Sequence, residues 1–328
     1  MSYAFFEKLQ ETYPQAKIEV IVKKGLEDLL QFYPVSKVHS FSKKESGSAL
    51  GLMNFGRSLS KETPKGYDLY FSLPDSFSAA LIGRFVNAKK RVGFQREMRS
   101  GMLSDHYPIP YHLHYVKRYA SLLGNFVEKE FDNLHTLFPQ KEVAFSEKLK
   151  TALKKVETNF FESNQPLILF NPMAVAVSRT LSIEKSVAIF KHLQEQTELN
   201  FVLTGIGAAV DCVKELKTQL NHPKNLLDLT GKTTLLDLVA IMRTCQAVLT
   251  VDSGPAHLAN ALGRPTVVLL GAGDPELIRP WNEKGRVEVR KLGLACSPCR
   301  QNTCKLGTVE CLEDLEIAQI GEGVLRFL

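Results

Sequence analysis

Apolar residues in this chain fall into short runs separated by stretches of helical length. A helix is predicted over Tyr3–Glu11, followed by an apolar strand at Lys17–Lys23 (KIEVIVK) and a shorter one at Val35–Phe41. Tyr67–Leu73 (YDLYFSL) and Arg91–Phe94 (RVGF) predict two more strands. Between them, Phe77–Phe85 (FSAALIGRF) has apolar residues at helical spacing, and His114–Leu123 predicts another helix. The second half alternates more cleanly. Strand Pro166–Asn171 precedes helix Ile183–Gln196, and strand Asn200–Thr204 precedes helix Ala208–Leu220. Leu226–Leu229 precedes helix Leu235–Thr244, and Ala247–Val251 leads through a polar turn into helix Ala256–Leu262. Gly263 and Pro265 stop that helix, and strand Thr266–Leu270 follows. Continuous apolar strands alternating with helices predict parallel sheets covered on both faces.

A charged amphipathic stretch over about residues 142–165 reads as helix and linker. At 328 residues the chain fits two domains. The predicted division is 1–155, 165–311, and a last helical segment, 312–328, packing back near the hinge. Two tandem α/β domains suggest a GT-B-like architecture, in which two Rossmann-like domains face each other across a cleft.

Composition adds boundaries. With 44% apolar and 23% charged residues the chain reads as an ordinary soluble protein. No apolar run has the length of a membrane span. The opening MSYAFFEKLQETYP is acidic early and has no long apolar core, unlike a signal peptide, so a cytoplasmic location is expected. The net charge of +6 is uneven: residues 1–150 carry 22 basic against 16 acidic side chains, and the rest is balanced. Such a surplus suits a phosphorylated substrate or an anionic membrane surface, and equally a scattered solvated face. No dense basic run is interleaved with aromatics, so no nucleic-acid partner is expected. Four of the six cysteines, Cys296, Cys299, Cys304 and Cys311, crowd near the end. Both a structural zinc knot and reduced, partly buried thiols remain open for them.

Two motifs fail on spacing. Thr230-Gly231-Lys232-Thr233-Thr234 looks like the end of a P-loop, but the required earlier glycine position is Leu226. Gly205-Ile206-Gly207 follows a strand, but the third glycine of a dinucleotide fingerprint would fall on Val210. The turn Asp252-Ser253-Gly254-Pro255-Ala256-His257 is more informative. It joins a strand to a helix, where free backbone N–H groups can receive an anion. Ser253 can cap the helix, Gly254 lets a ligand approach the backbone, and Pro255 suits a first helical turn. His257 lies about one turn in. A diphosphate fits such a corner; an ordinary capped helix fits it equally on these residues alone.

The stretch from Asp228 through Trp281 resembles the donor-site signature of glycosyltransferase family 9, the bacterial heptosyltransferases: Asp252-Ser253-Gly254, His257, an LAxALG run, and Gly271-Ala-Gly-Asp274-Pro275. A second block, Leu73–Leu81 with Arg91–Phe94, Arg96–Arg99 and His114–Leu123, resembles the same family. The resemblance implies an inverting, metal-independent transfer of heptose from ADP-heptose to the inner core of lipopolysaccharide, with no cofactor. It implies a sugar-nucleotide co-substrate and a lipid-linked acceptor met at the cytoplasmic face of the inner membrane. It places donor contacts at Asp252, Ser253, Gly254, His257, Arg179 and Gly205, and acceptor contacts at Asp75, Ser76, Arg96 and Arg99, with Lys89, Lys90 and Arg91 nearby. Arg179 falls where the family has a lysine, and Ala208 or Ala209 where it has a glutamate. The family's first strand and its catalytic Asp would lie before Met1, so the expected fold lacks that strand and no catalytic residue is assigned. Two alternatives stay open: a relative that binds sugar nucleotide or glycolipid without turnover, and a sugar-nucleotide 2-epimerase.

Overall fold

In the computed structural model the described residues are 1–328 apart from 43, 45, 46, 97, 157–159, 282 and 283. Part of the predicted linker helix, at 157–159, and Glu97 of the arginine-bearing block therefore lie outside the described residues. The chain divides into two compact units, Met1–His135 and Thr136–Leu328.

The first unit runs α1 (Tyr3–Thr12), β1 (Glu19–Lys23), β2 (Lys37–Phe41), α2 (Ala49–Glu62), β3 (Tyr67–Ser72), α3 (Phe77–Phe85), β4 (Ala88–Phe94), β5 (Asp105–Tyr107) and α4 (Tyr115–Val127). Its strands form a parallel pair, β1-β2, and a parallel triplet, β3-β4-β5. Among the described residues no ladder joins β1 to β3; a side-chain bond does, Tyr67 Oη donating to Glu19 Oε2 at 2.8 Å. Both strand groups are sandwiched by the same two apolar layers. Val20 and Phe71 pack with Phe5, Leu9 and Leu123 of α1 and α4, while Ile21 and Tyr70 pack with Leu52, Leu59 and Ile82 of α2 and α3.

Helix α2 has no counterpart in the sequence reading. Its two glycines, Gly51 and Gly56, lower its helical propensity. Gly56 is there for contact: a Cβ on it would stand 2.7 Å from the Ile82 carbonyl oxygen and 2.8 Å from Phe85 Cβ. Close approach of α2 to α3 therefore needs the residue that makes α2 hard to recognise.

The second unit runs α5 (Glu147–Leu153), β6 (Leu167–Asn171), α6 (Ile183–Gln196), β7 (Asn200–Leu203), α7 (Val210–Gln219), β8 (Leu226–Asp228), α8 (Leu235–Thr244), β9 (Ala247–Val251), α9 (Gly254–Ala261), β10 (Thr266–Leu269), α10 (Pro275–Ile278), β11 (Val287–Arg290), α11 (Glu310–Glu313) and α12 (Ile317–Leu325). All six strands are parallel, in the order β11-β10-β9-β6-β7-β8. Strands β6, β7, β9 and β10 are buried along their whole length, as apolar runs covered on both faces must be. The edge strand β11 is only half-buried, and its alternating VEVR pattern was not predicted as a strand. The last segment forms two helices rather than one. Ile320 and Val324 of α12 enter the core beside Ile189 and Phe190 of α6.

Where the sequence places a linker at 142–165, the structure docks the chain from Thr136 onward on the second unit. Phe138 N donates to Ala261 O at 2.6 Å, and Asn260 Nδ2 donates to Thr136 Oγ1 at 3.2 Å. The firmest tie is Asp237, fully buried on α8. Its carboxylate accepts from Ser146 N and Ser146 Oγ, both at 2.7 Å, and from Thr234 N and Thr234 Oγ1, both at 2.8 Å. It thereby closes the capping box of α8 and fixes the N-cap residue of α5. Burial pushes the Asp237 carboxyl up, but these donors outweigh it and hold it below the ordinary 3.8.

Asp237→Ala removes the shared acceptor of two part-buried backbone N–H groups and is expected to lower stability by about 1–3 kcal/mol in urea unfolding. A folded value below the unfolded one means that the contribution is complete above pH 3.8 and fades as pH falls through the folded value. The gap between wild type and variant is therefore expected to narrow in acid; a gap independent of pH would show that the carboxylate charge is not what holds Ser146.

Candidate functional site

Parallel sheets present ligand sites beyond the carboxyl ends of their strands. In the second unit that edge carries the loops after β6, β7, β8 and β9. Asp252, next after β9, is held by its own N–H, which donates to Leu269 O at 3.2 Å. Helix α9 starts at Gly254, two residues earlier than predicted, with Pro255 in its first turn. A Cβ on Gly254 would meet open space, so a ligand can reach the backbone there. His257 is half-buried one turn further in.

Ser253 occupies the N-cap position of α9, but its side chain makes no capping bond. The hydroxyl turns back to the sheet instead, donating to Val251 O at 3.2 Å and accepting from Asn171 Nδ2 at 3.2 Å. Asn171 ends β6 and also reaches Thr250 Oγ1 at 3.1 Å and Met173 O at 3.3 Å. The Asn171 amide thus locks the ends of β6 and β9 together, and leaves the first-turn N–H groups of α9 without a side-chain cap. Sequence reasoning missed Asn171; a polar residue closing the apolar run PLILFN was the available signal.

Arg179 lies in a single 3-10 turn, Val177–Arg179, after β6. Its Nη1 is 3.5 Å from Asp252 Oδ2, with the Arg179 side chain 31% exposed and that of Asp252 only 6%. Neither Asp252 Oδ2 nor Arg179 Nε has a hydrogen-bond partner. The two are held at ion-pair distance without hydrogen-bond geometry. Burial pushes the Asp252 carboxyl up and the Arg179 charge pulls it partly back. The loop carrying Arg179 is pinned by Ser178, whose Oγ donates to Gln301 O at 2.6 Å and whose N donates to Asn302 O at 3.2 Å.

Gly205 is two strands away from Asp252 in the sheet order, roughly 10 Å. Its carbonyl accepts from Gly231 N at 2.9 Å, so it serves the turn joining the loops after β7 and β8. Thr230, which opens the rejected P-loop-like run, has its Oγ1 buried there without a hydrogen-bond partner.

At the four positions left open for a zinc knot, burial raises the Cys311 thiol, and Cys296, Cys299 and Cys304 lie near enough for their charges to add to this. All six cysteines are free thiols, and among the described residues no group of three or more His, Cys, Asp or Glu is placed to hold a metal ion. Cys296 is exposed, and the Cys304 thiol is turned to backbone N–H groups of Val309 and Leu306, which pull it below its ordinary value.

In the first unit the carboxyl edge carries the turn between β3 and α3. Asp75 Oδ2 accepts from Arg96 Nη1 at 3.0 Å, both side chains about half exposed. Ser76 caps α3, accepting from Ala79 N at 3.3 Å. Arg99, expected on the acceptor surface, is 1% exposed and points inward. Of the neighbouring cations, Lys89 pairs with Asp68 at 2.6 Å, Lys90 sits over the Phe126 ring, and Arg91 donates to Met102 O and Ala88 O. That leaves Arg96 as the arginine of the expected acceptor set that faces solvent. Arg118 is buried as well, bonded to Tyr111 O and stacked 4.3 Å from the Tyr115 ring centroid. Burial raises the neighbouring Tyr119 hydroxyl to about 12, and the Asp75 charge adds to this.

The profile of glycosyltransferase family 9 (heptosyltransferase) matches residues 53–310. Lipopolysaccharide heptosyltransferase 2 of Escherichia coli (strain K12) is 30% identical over 304 residues, covering 88% of this chain and 83% of that protein. The solved structure of E. coli ADP-heptose lps heptosyltransferase II superposes with a TM-score of 0.79 at 26% identity, covering 99% of this chain and 93% of that one. E. coli heptosyltransferase WaaC, solved with ADP, shares the fold at TM-score 0.70 and 16% identity, covering 100% and 95%.

The corner at Asp252 depends on Gly273: a Cβ there would stand 2.6 Å from Asp252 Oδ2 and 2.7 Å from Ile278 Cδ1. Gly273→Ala is expected to cost about 1–3 kcal/mol of stability in urea unfolding, as overpacking does. An unchanged midpoint would show that the buried carboxylate can move aside.

Proposed function

The chain belongs to glycosyltransferase family 9, the heptosyltransferases, and we propose that it moves a heptosyl group from ADP-heptose to the core of lipopolysaccharide. The observation that carries this reading is the pairing of an uncapped helix start, Gly254–Ala261, with the Arg179 guanidinium at its mouth. Negative charge grows on the diphosphate as the glycosidic bond breaks, and preorganised donors lower the cost of that step. Arg179 supplies a full positive charge, and the first-turn amides of α9 supply partial ones. His257 adds a polar contact from the same helix. The loose Arg179–Asp252 pair matters here: a diphosphate oxygen offers the guanidinium the hydrogen-bond geometry that Asp252 does not.

The acceptor hydroxyl attacks the anomeric carbon in one displacement that inverts it: the new C–O bond forms as the bond to the diphosphate breaks, ADP leaves, and the hydroxyl proton passes to a carboxylate base. Asp75 and Arg96, on the carboxyl edge of the first unit, contact the acceptor, and Ser76 holds the start of α3 beside them. The charge on the leaving group is met by Arg179 and the helix amides, without a metal ion. The acceptor is lipid-linked, and the basic surplus of residues 1–150 suits work at an anionic membrane surface. Among the described residues no helix is long and apolar enough to cross a membrane.

Removing a charge-assisted hydrogen bond costs about 1.5–3 kcal/mol, so Arg179→Ala is expected to weaken ADP binding by roughly 10- to 100-fold in calorimetry. Arg179→Lys keeps the charge and is expected to recover part of it. Unchanged ADP affinity in both variants would remove Arg179 from the donor site.

A further inference from the structure

Arg99 is the largest fully buried side chain in the described chain. Its Nη1 donates to Pro74 O at 2.7 Å and its Nη2 to Ser72 Oγ at 2.9 Å. Ser72 Oγ in turn donates to Pro74 O at 3.1 Å, so guanidinium, hydroxyl and carbonyl close a small ring under the β3–α3 turn. Gly93 on β4 makes the room: a Cβ there would stand 2.9 Å from Arg99 Nη2. Arg99 Nε is buried without a partner. No carboxylate is hydrogen-bonded to this guanidinium among the described residues; Asp75 reaches it only through its charge. An apolar side chain of similar volume would fill such a site at lower desolvation cost. What the arginine adds is a fixed geometry for the turn above it. The same short segment carries Arg96, whose N and O both bond Ser100 Oγ, at 3.3 and 3.0 Å. One piece of chain thus supplies a clamp beneath Asp75 and a partner beside it.

We propose that Arg99 is a positioning residue for the sugar acceptor: it fixes the Ser72–Pro74 turn so that Asp75, steadied by Arg96, presents a carboxylate oxygen to an acceptor hydroxyl. This rests on the transferase reading above and deepens it at the acceptor side. A carboxylate accepts strongly from sugar hydroxyls, and a turn at the end of a parallel strand is where such a ligand lies. Arg99 itself does not touch the acceptor.

The test is steady-state kinetics with ADP-heptose and a delipidated core oligosaccharide, beside calorimetry of that oligosaccharide alone. Arg99→Met is expected to raise the acceptor KM about tenfold, as loss of one well-placed charged contact does, with the donor KM unchanged. Arg99→Lys, which cannot span both acceptors, is expected to fall between the two. Ser72→Ala removes one anchor, keeps the guanidinium, and is expected to raise the acceptor KM roughly threefold. It decides the matter if Arg99→Met fails to fold. A lower melting temperature with an unchanged acceptor KM, or equal rises in both KM values, would overturn the assignment. Wild-type enzyme that neither transfers heptose to the oligosaccharide nor binds it would instead refute the reading beneath it.

Discussion

A buried carboxylate oxygen without a hydrogen-bond donor, Asp252 Oδ2, governs the second unit's carboxyl edge. It directly follows β9, one of the two central strands, where surrounding protein keeps water away. An isolated charge there is costly, so the nearest cation is drawn in. That cation is Arg179, and it stops at 3.5 Å without making a hydrogen bond. Attraction without directional bonding keeps the guanidinium near the corner yet leaves its donors for another anion. The neighbouring groups follow from this arrangement. Gly273 has no side chain because one would strike the carboxylate. Asn171 ties down Ser253, and with it the start of α9. On the proposed reading, this corner gives fixed positive potential where a diphosphate would gain charge.

Most of the second unit was legible from its sequence because buried parallel strands write continuous apolar runs. Five of its six strands appear in that pattern. The sixth, β11, is an edge strand half-buried along its length, and its alternating apolar and charged residues write no continuous apolar run. In the first unit α2 escaped notice because Gly56 serves helix contact rather than helix propensity. The final segment broke into two helices, α11 and α12, at Asp314–Glu316.

The sites were legible in unequal measure. The backbone of the Asp252–His257 turn could be read because its local order, strand, Ser-Gly-Pro, helix, dictates where N–H groups point. The direction of individual side chains could not. Ser253 lies at an N-cap position and bonds to the sheet; Arg99 lies in a basic cluster and faces the core. Sequence gives the place of a charge along the chain, while burial depends on what packs above it, such as the missing side chain at Gly93. Asn171 and Gly273 became visible only when their partners, distant in sequence, were brought beside them. In the cysteine-rich segment three thiols act on Cys311 by charge, yet among the described residues no group of three or more His, Cys, Asp or Glu is placed to hold a metal ion.

The most direct measurement is a crystal structure of this protein soaked with ADP. The account expects the diphosphate at the Gly254 backbone N–H, with the Arg179 guanidinium shifted from Asp252 onto a phosphate oxygen. A nucleotide seated elsewhere, with Arg179 still facing Asp252 and the start of α9 bare, would contradict it.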